Sequence, residues 1–250
     1  MTNGAKFALA SVAAFVIAVG GEVLYMHHQR VEDANAPVVS KQAAPTTTYS
    51  DDDRVLMSLH KERPDSLKDE RNLIGKTLWV SAGDQLDYYK DAGNHVDYAK
   101  PAGTLQGADP MSIKGVFEEQ APATGRAVFR VPAGDRQVLL AFTLPKSGDP
   151  KQLYATPVGD HEDGVYQFIT DGSFFYDDPH TLYHWPADAW AHIDKHECAV
   201  GMTENQCMMA LGQTVQFQGD EPGNRSITFN NGGHTVRAVF EDGKATKVQQ

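Results

Sequence analysis

Over most of the chain the apolar residues fall in short runs, many of them at alternate positions, and Gly, Pro and Asp separate one run from the next. A period of two marks strands with one buried and one wet face. From about Leu73 the segments "KTLWVSA", "MSIKGVFE", "GRAVFRVPAG", "RQVLLAFTLP" and "GVYQFITDGSFFYDD" have this character. Val138 to Phe142 is apolar without alternation, as expected of a strand covered on both sides. "TDGS", Thr170 to Ser173, carries a two-residue hairpin signal, because Asp-Gly readily takes the positive φ angles of a type I′ turn. These runs predict a small antiparallel barrel or roll over residues 73–178, loosely similar to an SH3-type barrel.

The pattern then changes to the helical period. In "WPADAWAHIDKHE", Pro186 suits a first helical turn, and Trp190 and Ile193 share one face. A second helix opens at "MTENQC": Thr203 and Gln206 form a capping box, Met202 and Cys207 flank it as a hydrophobic staple, and Gly212 ends it. A helix that short cannot recover its nucleation cost alone, so it must lie on a surface. "TVQFQ", "RSITFN", "HTVRAVF" and "KATKVQ" supply strand candidates with one apolar face each. The expectation for residues 179–250 is two helices packed on a sheet of about three antiparallel strands.

The amino terminus reads differently. Phe7 to Gly21 carries no charge, and continuing to Met26 gives a helix of about 30 Å, enough to cross a bilayer. Residues 1–26 are therefore expected to be a signal anchor, with Lys6 on the cytoplasmic side. A cleaved signal is the alternative, since Ala18 to Gly20 offers small residues to a peptidase. Residues 27–72, rich in Ala, Pro, Thr, Ser and charge, read as a flexible linker. The expected fold class is α+β: a membrane helix and tether, a β-barrel or roll, then the two-helix, three-strand unit. Localisation follows as a single-pass inner-membrane protein with its bulk in the periplasm.

Charge and cysteine content sharpen this picture. A net charge of −11 argues against nucleic-acid partners, which need a basic stripe. Two cysteines, Cys198 and Cys207, suit a disulfide in an exported chain, while a small apolar role for Cys207 is the competing reading. The sequence contains no G-x-S-x-G elbow, dinucleotide fingerprint, P-loop or H-E-x-x-H, so a non-enzymatic protein without cofactor or small-molecule substrate is expected. His192 and His196 stand four apart, as do His180 and His184, and this spacing suits either a chelating pair near Asp188 or Cys198 or an ordinary solvated row. The solvated row is favoured, so no metal is expected. Tyr183, Trp185 and Trp190 belong to an aromatic cluster that either seals the seam between the two units or forms a docking patch.

"GMTENQCMMALGQ", "RSITFN" and "VFEDGKATKVQ" resemble the helix-to-sheet signature of the BamE family, also called SmpA/OmlA, subunits of the outer-membrane β-barrel assembly machinery. Gly201, Met202, Thr203, Leu211, Gly212, Phe240 and Gly243 carry the resemblance, which spans about Trp185 to Gln249. It implies a protein-interaction module of cell-envelope or outer-membrane assembly or maintenance, with other envelope proteins as partners. β-Lactamase inhibitor proteins use a similar unit, so a metal-binding or inhibitor-type periplasmic module is the alternative. Members of the family are lipoproteins with an amino-terminal lipidated Cys, and this chain has no Cys there.

Overall fold

The structure is a computed structural model that describes residues 56, 60–83, 86–122, 134, 136–146 and 149–250. The expected anchor, most of the linker and the "GRAVFRVPAG" strand up to Ala133 lie outside the described residues. Among the described residues no helix is long and apolar enough to cross a membrane.

Among the described residues twelve strands dominate. They are β1 Thr77–Val80, β2 Asp87–Lys90, β3 Pro101–Thr104, β4 Pro110–Gln120, β5 Arg136–Thr143, β6 Tyr154–Glu162, β7 Val165–Phe168, β8 Phe174–Phe175, β9 Gln213–Gln218, β10 Ser226–Asn231, β11 His234–Glu241 and β12 Lys244–Gln249. Five α-helical segments punctuate them: α1 Leu67–Glu70, continued by a 3-10 turn at Arg71–Leu73, α2 Thr170–Ser173, α3 Pro179–Leu182, α4 Ala187–Ile193 and α5 Glu204–Leu211. The first eight strands form one antiparallel sheet in the order β3-β2-β6-β5-β4-β1-β8, with β7 folded back onto β6. The last four form a meander, β12-β11-β10-β9.

The expected fold class is corrected by this arrangement. In place of a small roll of about five strands stands a curled half-barrel of eight, and the carboxy-terminal sheet has four strands rather than three. "DYYK" and "PAGT" were missed as β2 and β3 because neither run shows a clean apolar alternation. The hairpin signal at Asp171-Gly172 marks the helical turn α2 instead. Asp171 is engaged elsewhere: its carboxylate accepts the Glu62 and Arg63 amides at 3.0 Å each and the Tyr176 hydroxyl at 2.7 Å. Two other Asp-Gly pairs do turn hairpins: Asp163-Gly164 between β6 and β7, with φ of 50° and 81°, and Asp242-Gly243 between β11 and β12, with φ of 49° and 78°.

β5 explains how the half-barrel is filled. Val138, Leu140 and Phe142 enter one apolar cluster, while Leu139 and Ala141 enter another on the opposite face, and all five are buried. Side chains alternate across a strand, so an unbroken apolar run needs cover on both sides. On the second face Val96 and Tyr98, from the connection between β2 and β3, belong to that cover.

The same alternation joins the two sheets. Phe174 points into the half-barrel cluster, and the next residue, Phe175, points into the cluster of the carboxy-terminal unit. On the neighbouring strand Leu78 and Val80 face the half-barrel while Trp79 packs on the other cluster. β1 and β8 are thus a wall shared by two cores. On its far side α4 and α5 contribute Trp190, Ile193, Cys207 and Leu211, and the meander contributes Ile227, Phe229, Val236, Ala238 and Phe240.

Candidate functional site

Tyr183, Trp185 and Trp190 sit in that second core, at 6%, 8% and 7% exposure. Tyr183 stacks on Trp185 with ring centres 4.7 Å apart, Trp185 lies 5.1 Å from Trp190, and Phe175 meets Tyr183 edge-on. Their area is spent inside the molecule, against the shared wall, which leaves little of the rings to a partner.

Beside this cluster a cleft of about 310 Å³ opens between the half-barrel and the helical segment, lined by Tyr88, Asp109, Pro110, Lys146, Asp194 and His196 among others. His192 and His196, the less favoured chelating pair, face different partners. Helix α4 ends at Ile193, and His196 stands beyond it with a φ of 57°. His192 faces Glu197 at 3.6 Å, and His196 Nε2 faces Asp109 Oδ2 at 3.5 Å. Asp194 takes the Lys146 ammonium at 2.7 Å and lies 3.4 Å from His180, whose other ring nitrogen is 2.8 Å from Asp178.

These charges answer one another. Burial pushes the Asp109 carboxyl up against the pull of His196 and Lys146. Burial also raises Asp194, but Lys146 and His180 outweigh it and hold that carboxyl below its ordinary value. The phenol in the cleft, Tyr88, is shifted upward, by burial first and then by the neighbouring Tyr154 and Asp109. The network is best described as an electrostatic clamp that ties the start of β4 and the segment after β5 to the helical region. Among the described residues no group of three or more His, Cys, Asp or Glu converges as a metal set. Cys198 is bonded to Cys207, with Cα atoms 4.8 Å apart, and is thereby removed as a ligand.

That disulfide and the α5 cap fix where the next strand begins. The Thr203 hydroxyl accepts the Gln206 backbone amide at 3.2 Å, and the Gln206 side-chain Oε1 accepts the Thr203 backbone amide at 2.9 Å. The loop closed by the disulfide is worth about 2.5 to 3 kcal/mol in chain entropy. Helix α5 stops at Gly212, whose φ is 76°, and the chain turns directly into β9.

β9 is the exposed feature. Among the described residues it pairs with β10 alone, and five of its six residues are exposed, including Val215 at 63% and Phe217 at 48%. Natural edge strands are usually guarded by Lys, Pro or a bulge. The opposite edge, β12, carries Lys244 and Lys247, but "QTVQFQ" has no charge and no proline; a bulge opposite the step from Thr228 to Phe229 is its safeguard. Phe217 is held in place by the Arg225 guanidinium, 4.3 Å above its ring, and Arg225 is in turn gripped by Glu204 at 2.6 Å. Sequence reasoning identified the strand and missed its position. The usable signal was an uncharged run, apolar at Val215 and Phe217, placed next to an acidic turn.

Compared with known proteins, the chain matches no family model, no curated protein and no solved structure.

Proposed function

We propose that this chain is a non-enzymatic protein-interaction module of the bacterial cell envelope, held at the inner membrane by its amino-terminal segment, with its folded body in the periplasm. Its task is to receive an extended segment of another envelope protein during assembly or maintenance of that envelope. The observation that carries the reading is the open rim at β9, where Val215 and Phe217 are exposed on a strand with one neighbour among the described residues. An exposed strand edge offers backbone donors and acceptors to an incoming strand, and alternate side chains give that strand its register. The Cys198–Cys207 disulfide supports an oxidising compartment. The apolar run from Phe7 to Gly21 and the likeness of Gly201 to Gly243 to the BamE pattern point the same way.

A photo-activated crosslinking residue at position 215 or 217, in the full chain in intact cells, tests the reading. Adducts with an envelope protein are expected at both positions and not at Lys247 on the opposite edge. Equal adducts at 215 and 247, or none at either rim position, would remove the reading.

A further inference from the structure

Resting on the proposed docking role of β9, we infer that the occupant of this edge is an extended strand of another protein, apolar at alternate positions and basic at the end that meets Asp220 and Glu221. Directly after β9 the chain turns through "GDEPGN", which sets these two exposed carboxylates at one end of the open rim. Neither has an ion-pair partner among the described residues. Two cations on the neighbouring strands of the meander, Arg225 just before β10 and Arg237 on β11, are committed elsewhere. Arg225 is bound to Glu204 through Nε at 3.1 Å and Nη2 at 2.6 Å, and Arg237 donates to Ser226 Oγ at 2.8 Å and Gln218 Oε1 at 2.5 Å.

A second copy of this chain does not fill the requirement. Aligned antiparallel along Gln213–Gln218, it sets Leu211 across from Asp220 and Ala210 across from Glu221. Both are buried members of α5, and neither is charged. Aligned parallel, it brings Asp220 against its own counterpart, and like charges directly opposite are unfavourable. The net charge of −11 adds a repulsive background to any self-association. A foreign strand with Lys or Arg at that end compensates both carboxylates, and its apolar side chains cover Val215 and Phe217. Because an exposed ion pair contributes little on its own, the acids select orientation and partner while the backbone ladder and the apolar contacts supply most of the affinity.

The experiment uses the full-length protein in detergent and three synthetic ten-residue peptides of one apolar-alternating sequence, ending in two Lys, two Glu or two Gln. Binding is read by fluorescence anisotropy at low and high salt. The Lys peptide is expected to bind about three- to tenfold more tightly than the Gln peptide and the Glu peptide to bind weakest. The advantage should shrink in salt and vanish in the double variant Asp220→Lys, Glu221→Lys. Equal binding of all three peptides overturns the basic-partner inference but leaves strand docking at β9 standing. Binding that survives Val215→Lys and Phe217→Lys overturns the docking role itself, provided that the variants melt like the parent. A dimer whose crosslinks join position 215 to position 215 overturns the choice of a foreign strand.

Discussion

Glu70 is the single residue whose environment departs most from what its type suggests. It is 1% exposed, the Thr170 hydroxyl donates to its Oε1 at 2.5 Å, and its Oε2 has no partner. Burial first, with the Asp171 charge adding to it and the Thr170 bond opposing, moves the carboxyl from 4.5 to about 7. The unfolded chain therefore gives up the proton more readily than the folded one. The stability linked to Glu70 is whole below about pH 4.5, declines as pH rises, and is lost above about pH 7. Glu70→Gln is expected to match the parent near pH 4.5 and to exceed it by roughly 2 to 3 kcal/mol at pH 8, as measured by urea unfolding at the two pH values. Nothing in the sequence announces this residue, because its burial depends on Thr170, 100 positions away. Thr203 and Gln206 were legible for the opposite reason: a capping box is complete within four consecutive residues.

At the scale of elements, α5 is held against the half-barrel by a close approach that admits no side chain. A Cβ built on Gly107, in the connection between β3 and β4, would lie 2.2 Å from the Met209 carbonyl oxygen. Gly107→Ala must push that connection away from the helix, at a cost of about 1 to 3 kcal/mol. The loss should appear as a lower Tm, and hydrogen exchange should rise first along α5. Legibility at this scale follows how local the cause is. The buried character of β5 could be read because five apolar residues in succession leave no face for water. The Asp171-Gly172 turn was misread because the Glu62 and Arg63 amides, far away in sequence, decide its conformation. β9 was found as a strand but not as an edge, since pairing order is a property of the whole meander. The aromatic residues show the same division, for their type invited two roles and only the packing around Phe175 places them inside.

For the molecule as a whole, the shared wall of β1 and β8 determines how it should unfold. Phe174 and Phe175 belong to different cores, so neither core can lose its packing without exposing the other side of the same two strands. The links between Lys146 and Asp194 and between His196 and Asp109 tie the same two regions at the cleft. All three tryptophans, Trp79, Trp185 and Trp190, lie in or against the carboxy-terminal core. Tryptophan fluorescence therefore reports that unit, and far-ultraviolet circular dichroism, with most strands in the half-barrel, reports chiefly the other. The two thermal transitions are expected to coincide within error. Separation of their midpoints by more than about 5 °C, above the roughly 2 to 4 °C by which 1 kcal/mol moves Tm in a domain of this size, would mean that the wall does not couple them.

The lopsidedness of the four-stranded meander sets a limit on stoichiometry. One rim is guarded by Lys244 and Lys247 and the other is bare of charge, with a bulge on β9, so the sheet is more readily lengthened on the β9 side. A polymer needs two compatible ends on every unit. Once a guest occupies the bare rim, the end left to that sheet is the guarded one, and addition there stops after a single event rather than continuing into a filament.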